Sequence, residues 1–499
     1  MSSVMGTEDR APAPLLPDAD LLDSAAAGGA AIRGGALRLA GYGAGVALSV
    51  GSAAVLFRHL GVVDSGRYVL VLSLVMLSAG LTDAGLTWLG VREVALRRGD
   101  ERRALLSNLL GLRLVFSLLG VLVACAYAVV AGYPDSLVLG TAIAGASVIA
   151  TSLQSTLSTV LMAELRLGWV TALELLRQVV FVVGIVVLVQ LGATLVPFFV
   201  LAFGAGVVAL VVTAVLVGRA TPFLPAFDRA QWRALLAETL PYALAAAVGA
   251  VYFRLAILIV NLVASDTQTG YFGVSFRIIE VLVLVPQLVV GAGFPIFARA
   301  ARDDAERLQY GLQKMLDACL ILGTITVVVL GVGAPVAIDV VAGPKFGAAA
   351  AVLRLHAIAL LGSFMSAVFG YALLSLRRRR AVLVVNAAAL VTMAVLGPAL
   401  AATSGARGAA GATVAAEAVL AVCGWALLTR GPDGIRLGLP GLPRVALAAA
   451  LAVLPALFLP AAPATLAAVV VLLVALVVLR AIPEEVVVEV RRVLRLDPA

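Results

Sequence analysis

Apolar runs of about 20 residues recur along the chain, each long enough to cross a hydrocarbon core of ~30 Å at 1.5 Å per helical residue. They fall at 37–57, 68–91, 109–131, 136–161, 175–191, 193–217, 239–263, 270–297, 314–337, 352–376, 381–403, 409–429, 445–460 and 463–482. The pattern therefore predicts an all-α polytopic membrane protein of about fourteen transmembrane helices. Residues 1–36 are rich in Ala, Gly, Pro and Asp. They lack the basic start, short apolar core and cleavage site of a signal peptide, and read as a disordered cytoplasmic tail. Residues 483–499, with Glu484, Glu485, Arg491 and Arg492, read as a cytoplasmic amphipathic tail able to lie along a membrane surface.

A weak repeat divides the spans. Asp64-Ser-Gly-Arg-Tyr68 opens the second span and Thr267-Gln-Thr-Gly-Tyr271 opens the eighth. The repeat predicts two six-helix lobes, 37–217 and 239–429, joined by a cytoplasmic linker at 218–238 and followed by two further helices in 430–482. Both lobes start on the same side, so they would be parallel repeats related by a pseudo-twofold axis along the membrane normal.

Composition agrees with this. The 499 residues are 62% hydrophobic and 13% charged, with a mean hydropathy of +1.10; soluble domains hold about 45–50% apolar and about 25% charged residues. A soluble enzyme, a disordered protein and a single-span receptor are excluded. The net charge of +8 is a topology signal. With the N-terminus inside, and with residues near span ends such as Arg113 counted with the adjoining loops, 29 of the 36 Lys and Arg fall in cytoplasmic segments and 5 in external loops, leaving Arg254 and Arg277 deep within spans. Basic residues stay on the cytoplasmic side, which puts both termini there and leaves no nucleic-acid patch. Cys125, Cys319 and Cys423 lie far apart in apolar runs, and His59 and His356 are the chain's two histidines. No metal cluster, disulfide framework, Walker motif or Ser/His/Asp set is present. Neither catalysis nor a cofactor is indicated, and energy would come from an H+ or Na+ gradient, the membrane potential or the substrate gradient.

The informative residues are polar groups inside spans, because a charge at the bilayer centre costs ~2.5–3.5 kcal/mol on insertion scales. Arg254 lies halfway along helix 7 and shares a face with Asn261; it reads either as a cavity cation for an anionic headgroup or as a structural arginine. Arg277, Glu280 and Gln287 fall within an arc of about 80° on helix 8. They read as a cavity wall or, for the first two, as a self-contained ion pair. Asp83 in Leu81-Thr-Asp-Ala-Gly-Leu86 is a cavity acid or part of a kink. Ser147, Thr151, Gln154, Ser155 and Ser158 form a stripe on helix 4, which is interhelical glue or the wall of a hydrated cavity.

In this order and spacing, several stretches resemble the polysaccharide-export flippases, the Wzx-like members of the multidrug/oligosaccharidyl-lipid/polysaccharide (MOP) superfamily. They are Phe57-Arg-His-Leu-Gly-Val-Val-Asp-Ser-Gly-Arg-Tyr68, Thr82-Asp-Ala-Gly-Leu86, Val91-Arg-Glu-Val94, Tyr252-Phe-Arg254, Thr269-Gly-Tyr271, Phe294-Pro295, Gly343-Pro-Lys-Phe346 and Gly405-Ala-Arg-Gly-Ala-Ala-Gly-Ala412. The resemblance implies two lobes around a V-shaped cavity. It also implies flipping of an undecaprenyl-diphosphate-linked oligosaccharide from the cytoplasmic to the outer leaflet of a bacterial inner membrane by alternating access. Arg254 and Arg277 would hold the diphosphate, and a polysaccharide polymerase and glycosyltransferases would be partners. Family members often carry an aspartate two residues after the helix 7 arginine. Here that place is Ala256, which leaves Asp83 or Glu280 to couple transport to a cation, or transport without tight coupling. A drug/cation antiporter and a lipid II flippase of the same superfamily are the alternatives.

Overall fold

The computed structural model describes residues 25–83, 86–218, 224–430 and 434–481, with the side chains of 25–40, 42, 81–83, 88 and 238–246 set aside. The described residues form fourteen α-helices and no strand: α1 (Ala25–Asp83), α2 (Leu86–Leu96), α3 (Gly99–Val130), α4 (Asp135–Ala163), α5 (Leu167–Gln190), α6 (Leu195–Gly218), α7 (Arg229–Val263), α8 (Asp266–Leu282), α9 (Leu284–Asp303), α10 (Ala305–Ala342), α11 (Ala349–Ser375), α12 (Arg379–Thr429), α13 (Leu442–Val453) and α14 (Ala461–Val478).

Helices and crossings do not correspond one to one. As straight rods, the 59 residues of α1 and the 51 of α12 would reach ~88 and ~76 Å. Each is broken once, at Gly61 (φ 72°) and Gly405 (φ 57°), in a backbone region open to glycine. Each therefore makes two crossings. α8 and α9 meet at Val283 and make one, as the predicted span 270–297 requires. Ten stretches among the described residues are long and apolar enough to cross a membrane, and Ala247–Val263 and Leu442–Leu457 are shorter apolar helices. With α1 and α12 each split, these make fourteen crossings, at the places predicted from hydropathy. α1 starts at Ala25, so helix extends into the predicted N-terminal tail. Residues 1–24 and all of the predicted amphipathic tail lie outside the described residues.

Large apolar side chains point outward, among them Leu122, Val123 and Val130 on α3 and Leu466 and Val478 on α14, as expected where lipid is the solvent. The interior holds small residues instead. Ala406, Ala409, Ala410, Ala412 and Ala416 of α12 are fully buried, letting helix backbones approach closely. α13 and α14 pack against α10 on the flank of the second lobe.

From residue 224 on, the segment between the lobes is docked against α3. The Ala226 amide donates to the Ser107 carbonyl at 2.9 Å. The Asp228 amide donates to Asn108 Oδ1 at 2.9 Å, and Asn108 Nδ2 donates to Gln231 Oε1 at 2.9 Å. Leu235 is buried with Leu105 and Leu109 of α3. The first turns of α7, capped by Asp228, thus belong physically to the first lobe, while its apolar half belongs to the second.

Candidate functional site between the lobes

The chain turns at Gly61 between the two halves of α1 and at Ala264–Ser265 between α7 and α8. Ser49 and Ser73 each stand twelve residues from the first turn, while Arg254 and Arg277 stand eleven and twelve from Ser265. At 1.5 Å per residue all four lie ~17 Å below the turns, near the middle of a bilayer.

Their side chains meet there. The Glu280 carboxylate bridges both arginines: Oε1 accepts from Arg254 Nη2, and Oε2 accepts from Arg277 Nη1 at 2.6 Å. Arg254 Nη1 also reaches Ser73 Oγ at 3.4 Å, and Arg277 Nη2 donates to Ser49 Oγ at 3.1 Å. The Arg254 guanidinium lies 5.5 and 5.4 Å from the ring centres of Phe253 and Phe276, a cation–π arrangement that helps hold a partly desolvated cation. The cluster carries a net charge of +1, and its side chains are 14%, 19% and 35% exposed for Arg254, Glu280 and Arg277. The second lobe supplies both arginines and the glutamate, and the first supplies both serines. Arg277 and Glu280 pair with each other, and the pair lies where α8 meets α1.

The other sequence candidates go elsewhere. Asn261 stands seven residues beyond Arg254, ~10 Å along α7, and is not part of the cluster. Gln287 follows on α9, past the one-residue junction at Val283 and past Pro286, a residue that cannot donate a backbone hydrogen bond to the preceding turn. Gln287 lines a separate cavity of about 380 Å³ inside the second lobe. Gln154 is buried and donates to Ser158 Oγ at 3.2 Å on its own helix. Ser147 of the same stripe donates to the Ala202 carbonyl of α6 at 3.0 Å, tying two helices together, while Thr151 and Ser158 bond within α4. Asp83 closes α1, but its side chain lies outside the described residues.

Two buried groups escaped the sequence reading. Arg113, counted there with the cytoplasmic loop, is 3% exposed on α3 and donates to Thr87 Oγ1 at 2.5 Å. Glu417 of α12 is 7% exposed, accepts from the Tyr252 hydroxyl at 2.8 Å, and its Oε2 has no hydrogen-bond partner. It lines the cavity with Gln287, Asn386, Ser363 and Tyr371. An acid inside the predicted span 409–429 is the same signal that singled out Arg254, and it was there to be read.

One end of the inter-lobe surface is shut. A Cβ on Gly66 would lie 2.6 Å from the Gly270 amide nitrogen, and one on Gly270 would lie 2.1 Å from the Val62 carbonyl; the two repeat motifs touch backbone to backbone. Arg67 ties this contact down, donating to Asp266 Oδ2 at 2.8 and 3.2 Å and to Asp64 Oδ1 at 3.2 Å. Gln268 Oε1 accepts from the Ala406 amide at 3.0 Å, and Arg58 donates to the Asp339 and Val340 carbonyls at 2.9 Å each.

A family model described as "Polysaccharide biosynthesis protein" matches residues 32–301, more than half of the chain, and spans α1 through the Arg254–Glu280–Arg277 cluster. The chain belongs to the polysaccharide biosynthesis protein family. No curated protein matches its sequence. Among solved structures, a lipid II flippase MurJ in an inward closed conformation is similar at a TM-score of 0.74, 12% identity, and coverage of 88% of this chain and 97% of that one. Inward- and outward-facing multidrug resistance MATE family transporters of the MOP superfamily follow. Their TM-scores are 0.61 and 0.55 at 14% and 15% identity, covering 78% and 79% of this chain and 96% and 93% of theirs. At such identities the likeness is one of fold, and that fold is the all-α polytopic one expected from the sequence.

Proposed function

We propose that this member of the polysaccharide biosynthesis protein family flips an undecaprenyl-diphosphate-linked oligosaccharide from the cytoplasmic to the outer leaflet of a bacterial inner membrane. The observation that carries the reading is the pair of arginines at mid-membrane depth on the surface between the lobes. Planar guanidinium groups suit the oxygens of a diphosphate, and a site shared between lobes is where alternating access exposes a ligand to each side in turn. With both termini cytoplasmic, the sealed end at Gly66 and Gly270 is the outer one, which is what a carrier poised to take substrate from the inside requires. A polymerase and the glycosyltransferases that complete the repeat unit are the partners such a cycle requires. The lipid II flippase neighbour leaves peptidoglycan precursor as an alternative cargo. A cationic drug is disfavoured by a cluster of net positive charge.

Coupling to H+ or Na+ belongs to the same proposal, with its acid reassigned. Glu280 is committed to two arginines, whereas Glu417 faces neutral groups and a cavity. It is the better carrier of a transported cation.

The test is lipid extraction from cells lacking the protein, with sugar-bearing polyprenyl diphosphates quantified and assigned to a leaflet. Complete oligosaccharide-lipid should build up on the cytoplasmic face while surface polymer is lost. Unchanged intermediates would remove the flippase reading, and arrested peptidoglycan synthesis with accumulated lipid II would favour the alternative cargo.

A further inference from the structure

Two guanidinium groups converging at mid-membrane depth repel each other, and unscreened they would capture any phosphate that entered. Glu280 removes both difficulties, since one carboxylate spans the two cations with an oxygen on each. That is the geometry a bridging phosphate group offers, with its oxygens divided between two arginines. Glu280 sits three residues from Arg277, one helical turn away on α8, so the movement the exchange calls for is a change of Glu280 side-chain rotamer. We propose that Glu280 is an internal stand-in for the substrate's diphosphate: it bridges Arg254 and Arg277 in the empty carrier, is displaced by the anionic headgroup on loading, and returns to expel it on release.

This inference rests on the flippase reading and adds a mechanism to it. A carrier must cross back empty, and it can do so only if its vacant site is not left as a doubly charged trap. Ser49 and Ser73 reach the same guanidinium groups from the first lobe, so exchange of carboxylate for diphosphate takes place where the two lobes are joined.

The opposing view is that Glu280 merely positions the arginines. The two views predict opposite signs for Glu280→Gln, whose side chain has one acceptor and one donor end and cannot bridge two guanidinium groups. With the full-length chain in nanodiscs, undecaprenyl diphosphate is the binding probe and undecaprenyl monophosphate the control. Displacement predicts that Glu280→Gln binds the diphosphate about 10-fold or more tightly than wild type, while transport of a fluorescent polyprenyl diphosphate into proteoliposomes slows because release fails. Weaker binding in Glu280→Gln, with transport lost in proportion, would overturn displacement and leave a positioning role. If wild type does not bind the diphosphate, and Arg254→Ala is indistinguishable from it, the flippase reading itself falls and the inference with it. A second measurement needs no variant. In wild-type protein with 13C-labelled glutamate, adding undecaprenyl diphosphate should shift a carboxylate band in the infrared difference spectrum; an unchanged band contradicts displacement.

Discussion

At the residue scale, the two arginines are not equivalent. Arg254 is the more enclosed, held between Phe253 and Phe276 and bonded to Glu280 and Ser73. Arg277 is the more open. Arg254→Ala leaves Glu280 paired with Arg277, so no buried charge is stranded and the chain should still reach the membrane. Diphosphate affinity is expected to fall about 10- to 100-fold, the loss of a charge-assisted contact, with export abolished. Normal export at normal protein levels would remove Arg254 from the substrate role. Arg254→Lys keeps the charge but loses the planar fork, and export assays should place it nearer to the alanine variant than to wild type. Gln154→Ala is the contrasting case: its amide bonds to Ser158 within α4, so export should stay near wild type. Glu417→Gln should leave diphosphate binding intact while abolishing the dependence of uptake on an imposed H+ or Na+ gradient. Gradient-dependent uptake that survives the change would exclude Glu417 as the coupling acid.

At the element scale, the shut end is made by two helix starts carrying related motifs. Seven residues after Gly66 and Gly270 stand Ser73 and Arg277, so equivalent positions of α1 and α8 lead from the seal to the cluster. The contact tolerates no side chain at Gly270, where a Cβ would meet the Val62 carbonyl at 2.1 Å. Gly270→Ala should therefore force this end apart and bias the carrier toward the opposite opening. Labelling of a cysteine placed at Ser73 by a membrane-impermeant reagent should rise from the external side, and unchanged labelling would mean the contact is not the outer gate. The converse variant is Arg67→Cys with Asp266→Cys, in a background free of Cys125, Cys319 and Cys423. Bridging these sites with a short cleavable bifunctional thiol reagent should stop transport, and cleaving the bridge should restore it.

At the scale of the whole molecule, the docked linker assigns the first turns of α7 to the first lobe, through Asn108, Asp228 and Leu235. The lobes are then joined covalently within α7, between its docked amphipathic turns and the apolar half that carries Arg254. Motion about this junction changes distances between lobes and not within them. Spin labels at Leu96 on α2 and Arg302 on α9 should report a distance that changes when undecaprenyl diphosphate is added. A pair at Leu96 and Trp169, both in the first lobe, should not change. Equal changes in both pairs would contradict rigid lobes.

Much of this was legible in the sequence, because the bilayer imposes strong one-dimensional rules. A segment must be about 20 apolar residues long to cross, and a charge within it is costly enough to stand out. Hence the fourteen crossings, the repeat at Gly66 and Gly270, and the prominence of Arg254, Arg277 and Glu280 all follow from hydropathy and spacing. What one dimension does not contain is which helix faces which. Gln287 reads as a neighbour of Glu280 by spacing alone, yet it lines a cavity whose walls include neither Arg277 nor Glu280. The polar stripe of α4 reads equally as wall or glue until α6 is seen against it. The bridging of two arginines by one glutamate needed the most from tertiary structure. Arg254 and Glu280 are 26 residues apart on different helices, and only the packing of α7 against α8 and the two arms of α1 sets them, with two serines of the other lobe, around one point.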